Sequence, residues 1–277
     1  MRTVYIFLLS VVVFASCDEP IDLDVNQVEP KIVIEGSVTD KPGYQMVKVS
    51  RSVGFYTDGT TPKITNASVT VSDDLGETVT FTHNPGNHPD SAGIYLPPAS
   101  FVGKIGRTYT LRVTADGQDF EATDKLLPVI SMDSLKYQVS ESQEEDPNEE
   151  GKIYELLMYA REPQNEKNFY LFKFYRNDSL TFFNETDIYY SDDELLSENI
   201  NGATSPVYYG KDDVAVVEVY SMSRTGYVYY NDLFSILNGD SGGMFGPVPA
   251  QPRTNINNGA IGFFQVSAID ISTVKIE

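Results

Sequence analysis

The 277 residues, 41% apolar and 12% aromatic, suffice for one or two domains with real cores and exclude a compositionally disordered chain. A formal net charge of −20, from 40 acidic against 20 basic side chains, excludes nucleic acid, whose binding needs Lys and Arg to displace counterions from phosphates. The same charge disfavours docking on anionic lipid through a basic patch, and a single cysteine excludes an internal disulfide.

The chain opens on Arg2, an apolar run over residues 4–13, the small residues Ala15 and Ser16, and then the cysteine, Cys17. A short basic region, an apolar core of about 7–15 residues and a small-residue cleavage site make a secretory signal. The run is too short to span a bilayer, which takes about 20 apolar residues. Phe14-Ala15-Ser16-Cys17 resembles the bacterial lipobox, in which the cysteine is acylated and becomes the first residue of the mature protein. Acylation disposes of a thiol that is a liability in an oxidising compartment. Each buried CH₂ of a chain such as palmitate contributes about 0.8 kcal/mol to anchoring. The expectation is a lipoprotein signal peptide over residues 1–16 and lipidation at Cys17. Loss of Arg2 with the signal takes the mature charge to about −21.

Residues 17–30 read as a lipidated acidic tether. Asp18 and Glu19 resemble the export signals that send Bacteroidota lipoproteins to the cell surface; a plain solvated tether explains them equally well.

Residues 31–128 read as an all-β domain. Stretches 46–50 and 67–72 alternate with period two, as half-buried strands do. Asp73-Asp-Leu-Gly76 and Asp116-Gly117 are turns. Seven or eight short strands with Gly, Pro and Asp punctuation predict a β-sandwich. The order Ala-x-Val-x-Val, Gly-x-Tyr, Gly-x-x-Tyr-x-Leu-x-Val resembles immunoglobulin-like and prealbumin-like modules of bacterial surface proteins. Such modules act as spacers or contact surfaces, although fold alone does not settle function.

A second β-rich domain is expected over residues 129–277. Its first loop, 141–151, holds six acidic residues in eleven. A solvated hairpin loop explains it better than calcium, because the spacing lacks the D-x-[DN]-x-[DN]-G pattern. Asp22-x-Asp24-x-Asn26 begins that pattern, but Gln27 stands where its glycine belongs, so no metal site is assigned. Phe169-Tyr-Leu-Phe-Lys-Phe-Tyr175 reads as a central strand, residues 178–210 as irregular, and 214–220 as strand again. Tyr227, Tyr230, Phe234 and Leu237 fall on one face of a 3.6-residue helix, predicting one amphipathic helix over 223–237 that Gly239, Gly242 and Gly243 stop.

Gly239-Asp-Ser-Gly-Gly243 spells the pentapeptide around the nucleophile of chymotrypsin-like proteases. That chemistry needs a histidine base held by a buried aspartate. The two histidines, His83 and His88, share one turn-like segment, and Met244 replaces the usual proline, so Ser241 is read as coincidence. No Walker loop, H-E-x-x-H or CxxC is present. No cofactor is expected. The absence of Trp weakens a sugar-stacking site, while 18 tyrosines, with pairs at Tyr189-Tyr190, Tyr208-Tyr209 and Tyr229-Tyr230, keep one open against a plain packing role.

The stretch Gly243-Met-Phe-Gly-Pro-Val-Pro through Thr254-Asn-Ile256 to Gly259-Ala-Ile-Gly-Phe-Phe264 resembles the closing motif of a Bacteroidota lipoprotein family, the domain of unknown function 4249. That resemblance covers essentially the whole mature chain. It implies an outer-membrane lipoprotein, facing the cell exterior, that serves as accessory to a TonB-dependent transporter. It carries over no functional residue. Two functions follow as expectations: a non-enzymatic binding or accessory module, or a surface hydrolase of glycan or peptide using a carboxylate pair.

Overall fold

A computed structural model describes residues 29–53, 61–141, 145–163, 166–195, 198–239 and 251–277. Cys17, Asp18, Glu19 and the Asp22–Asn26 pattern lie outside them, as do residues 240–243 of the Gly239 motif. The protein is mainly β, with one α-helix among the described residues.

The strands expected before Pro128 form: β1 (Ile32–Thr39), β2 (Met46–Arg51), β3 (Ser68–Asp73), β4 (Thr78–His83), β5 (Ile94–Leu96), β6 (Thr108–Ala115) and β7 (Gln118–Lys125). Each buries alternate apolar side chains; β6 turns Tyr109, Leu111, Val113 and Ala115 inward. Asp116 (φ 53°) and Gly117 (φ 74°) close the β6–β7 hairpin with the two left-handed residues a tight two-residue turn demands.

These seven strands do not complete their own sheet. An eighth, Ile261–Ser267, comes from near the C-terminus and pairs parallel with β1, Val33 opposite Ile261 through Thr39 opposite Ser267. The spatial order is then 261–267 strand, β1, β2, β5, β4, β3, β6, β7. The two edges of this sheet almost meet, through bridges Ala122–Ile256 and Leu127–Ser267. Ile34, Leu111, Leu126, Phe264 and Val266 fill the enclosed core.

The remaining strands are β8 (Met132–Val139), β9 (Tyr154–Arg161), β10 (Phe169–Arg176), β11 (Ser179–Thr181), β12 (Tyr189–Asp192), β13 (Asn199–Thr204), β14 (Val214–Met222), β15 (the 261–267 strand) and β16 (Ile269–Lys275). A five-stranded sheet places β10 centrally, with β14 then β16 on one side and β11 and β12 sharing the other edge. A three-stranded sheet, β13-β9-β8, covers one face of it, and Leu156, Tyr170, Phe174, Val217 and Ile276 pack between them. Residues 178–210, read as irregular, thus contain three short strands. All three lie at sheet edges, where half-exposed side chains lose the alternation that reveals a strand, and β13 carries a bulge between Asn201 and Ala203.

The helix forms as expected: α1 (Arg224–Leu237) is capped by Ser223, whose hydroxyl accepts from the Gly226 amide at 3.2 Å. The packed face differs in one position, since Leu237 is exposed while Asp232 is buried. Asp232 is held by the backbone amide and guanidinium of Arg253, which keeps its carboxyl below the usual range.

Only Ala268 separates β15 from β16, so one near-continuous segment belongs to both main sheets. Ser221 fastens the crossing: its amide donates to Ala268 O at 3.0 Å and its hydroxyl to Leu127 O at 2.7 Å. Ser267 returns a hydroxyl to Ser221 O at 2.6 Å, and Asp40 accepts from the Ile269 amide at 2.8 Å. These bonds tie the two sheets together where the chain crosses between them.

Candidate functional site: a tyrosine-lined cleft between the sheets

Strand alternation assembles the floor. Lys173 and Tyr175 on β10, and Glu218 and Tyr220 on β14, point to the same face of the five-stranded sheet, with Lys173 directly opposite Glu218. Tyr44, from the turn after β1, crosses from the other sheet and donates its hydroxyl to Glu218 Oε1 at 2.7 Å. Helix α1 roofs the space with Tyr229, Tyr230 and Leu233, while β15 supplies Phe263 and Gln265 and β1 supplies Glu35, Ser37 and Thr39. The cleft has a volume of about 520 Å³, within the range of small-molecule sites, which favour junctions between structural units.

The Glu218 carboxylate, 4% exposed, accepts three phenol protons: Tyr44 at 2.7 Å, Tyr175 at 3.0 Å and Tyr220 at 2.6 Å. A buried charge without such donors would be prohibitively costly. The phenols respond together. Burial and then the bond to Glu218 push Tyr44 up to about 12, and burial raises Tyr175 and Tyr220 as well. All three therefore stay protonated donors at neutral pH.

Lys173 stands beside this cluster without joining it. Its Nζ sits 4.5 Å from the centre of the Tyr220 ring, a cation–π contact. Burial pushes its ammonium below the ordinary lysine range, against the pull of Glu218. On the roof, Tyr229 stacks on Phe263 at 4.9 Å and meets Tyr230 edge-on at 5.3 Å, and Tyr230 donates to Gln265 Oε1 at 2.6 Å. Glu35, at the rim, pairs with Lys48 at 2.8 Å.

The tyrosine pairs singled out in the sequence separate. Tyr229-Tyr230 lines this cleft. Tyr189 and Tyr190 line a second cavity of about 330 Å³ between the two sheets of the C-terminal half, among Met132, Met158, Phe172 and Phe174. Its tyrosine hydroxyls are turned to protein partners, Tyr189 to Asp187 at 3.1 Å and Tyr190 to Asn231 at 3.1 Å. Tyr208 and Tyr209 are buried core. His83 accepts from the Gly93 amide, and His88 caps a single turn by accepting from Asp90, 3.0 and 3.3 Å away respectively. In the acidic loop, Asp146 and Glu149 are gripped by the Arg176 guanidinium at 3.2 and 2.8 Å.

Residues 18–272, a span that contains every cleft residue, match the family described as Domain of unknown function (DUF4249). The chain belongs to that family. No curated protein matches it. In this DUF4249 member, one of the three tyrosine pairs left open by the sequence, Tyr229-Tyr230, lines the cleft, whereas Lys173, Glu218, Tyr44, Tyr175 and Tyr220 were not singled out. A signal was present. Lys173 interrupts an otherwise apolar central strand, and Glu218 interrupts Val214–Met222 in the same way. A charge at the middle of a buried strand needs a partner or a purpose.

Proposed function

We propose that the protein is an outer-membrane, surface-facing lipoprotein, anchored through acylated Cys17, that acts as a non-enzymatic binding module. In this reading it captures a small nutrient in the cleft and serves as accessory to a TonB-dependent transporter. The observation that supports it is the cleft itself: an aromatic, partly polar cleft of about 520 Å³ between two sheets that β15 and β16 join through Ala268. The one charged group on its floor that faces three phenols, Glu218, has its oxygens occupied by them, which suits a structural more than a proton-transferring role. The first sheet serves as scaffold, in the manner of immunoglobulin-like and prealbumin-like surface modules. Membrane contact is left to the acyl chains, because a chain of charge −20 is repelled by anionic headgroups.

The test is affinity purification of the lipidated protein from its native outer membrane, with mass spectrometry of what co-elutes. A stoichiometric transporter surviving high salt is expected, and Cys17→Ser should shift the protein from the membrane to the soluble fraction. Recovery of the acylated protein alone sinks the accessory role; unchanged membrane association of Cys17→Ser sinks the anchor.

A further inference from the structure

Half-buried cations in this protein come with carboxylates. Among the described residues, Lys41, Lys48, Arg51, Arg107, Lys152 and Arg176 are partly buried and each has a carboxylate oxygen within 4.0 Å. Lys173 is the partly buried exception. It has no ion pair and no hydrogen-bond acceptor among those residues, only the face of Tyr220. In a chain with 40 acidic side chains, a half-buried ammonium with no carboxylate oxygen within ion-pair distance calls for an explanation.

The explanation is built into the floor. Glu218 lies directly across the strand pair and is the natural counter-ion. Three phenol donors instead hold both of its oxygens, so the ammonium protons of Lys173 are left for whatever enters the cleft. An incoming anion meets Lys173 without first breaking an internal ion pair. Resting on the reading of this cleft as a ligand site, we propose that its ligand is a small monocarboxylate, the carboxylate set against Lys173 and the body along Tyr229 and Leu96. A single point charge with Glu218 close behind suits a monoanion better than a phosphate dianion, which would want the several donors of an arginine or a helix end. The apolar wall of Tyr229, Leu96, Met46 and Phe263 suits a ring or short chain rather than a free inorganic ion.

The chemistry fits an aromatic acid or a sugar acid, and two matched pairs of probes separate them: benzoate against benzyl alcohol, and galacturonate against galactose. Binding to the mature full-length protein is read by calorimetry and by tyrosine fluorescence, which no Trp obscures. At least one acid is expected to bind tenfold or more tightly than its neutral counterpart. Lys173→Met should reduce that preference to within twofold, Lys173→Arg should keep it, and Tyr229→Ala should weaken both members of the pair. The Lys173→Arg protein guards against misfolding as the cause of any loss. Equal binding of acid and alcohol or sugar, or a preference that survives Lys173→Met, overturns the carboxylate while leaving the binding module standing. No saturable binding of any probe at tens of millimolar also overturns it, and the transporter co-purification then judges the module separately.

Discussion

Glu218 and Asp124 are two buried carboxylates held by different donors, phenols in one case and mainly backbone amides in the other. Glu218 accepts hydrogen bonds from three phenols, and hydrogen bonds to a charged acceptor contribute about 1.5–3 kcal/mol each. Glu218→Gln keeps the shape but turns an amide donor toward phenols that are themselves donors. We expect a loss of roughly 2–3 kcal/mol in urea unfolding, with Tyr44 titrating closer to the ordinary phenol range. An unchanged midpoint would mean the phenols do not depend on the charge. Asp124, 7% exposed, receives the Val266 amide at 3.0 Å, the Lys125 amide at 2.9 Å and the Ser223 hydroxyl, yet burial outweighs them and pushes it from 3.8 up to about 6. The folded state therefore holds this proton where the unfolded chain has lost it. Its contribution to stability is present in full below about pH 4 and is lost as pH rises through about 6, on the order of 2–3 kcal/mol in all. Asp232, held down by Arg253, works the other way and loses its contribution as pH falls below the ordinary carboxyl range. Subtracting the pH–stability curve of Asp124→Asn from that of the parent should isolate a slope falling between pH 4 and 6; a flat difference would sink the assignment.

At the scale of elements, the parallel pairing of β1 with β15 rests on Gly262. Its φ is +103°, and a Cβ there would lie 2.1 Å from the Ile34 carbonyl oxygen. Nothing but glycine lets the two backbones come this close. Gly259, three residues earlier, also has positive φ (+76°) but open space around it. Gly259→Ala should cost about 1–2 kcal/mol of backbone strain, whereas Gly262→Ala should cost more than about 3 kcal/mol because strain and clash add. Comparable unfolding midpoints for the two would show that β1 and β15 are not in the stated register. Helix α1 and the strands before Pro128 were legible in the sequence because their signals are local: a period of two, a period of 3.6, an Asp-Gly turn. Strands β11, β12 and β13 were not, since an edge strand buries too little of either face to show a period.

For the whole molecule, the two main sheets are not independent. Phe264 and Val266, both fully buried, belong to the first core although they lie over 130 residues beyond its last preceding strand, β7. A fragment of residues 29–128 lacks these side chains and leaves β1 and β7 as facing open edges. It should bind a hydrophobic dye and unfold without a cooperative transition, as followed by near-UV dichroism and urea. A sharp transition with a slope fitting seven packed strands would show that β15 is dispensable. The cleft follows the same logic, because its floor, wall and roof come from β10 and β14, β1 and β15, and α1, and the Tyr44–Glu218 bond spans 174 residues.

The amino-acid sequence by itself determined the β character of the chain and the identity of most of the described strands and of helix α1, and its closing motif pointed to the family. Those are properties of neighbouring residues and their spacing. Only the tertiary structure decided that β15 joins β1, that Ser221 and Ser267 tie the crossing between the sheets, and that Lys173 forms no ion pair with its cross-strand carboxylate. The reason is physical: every strand offers the same backbone donors and acceptors, so the choice of partner is made by burial and close approach between segments far apart in the chain. Lys173 and Glu218 could be seen in the sequence as charges out of place, but which groups would face them was settled by packing.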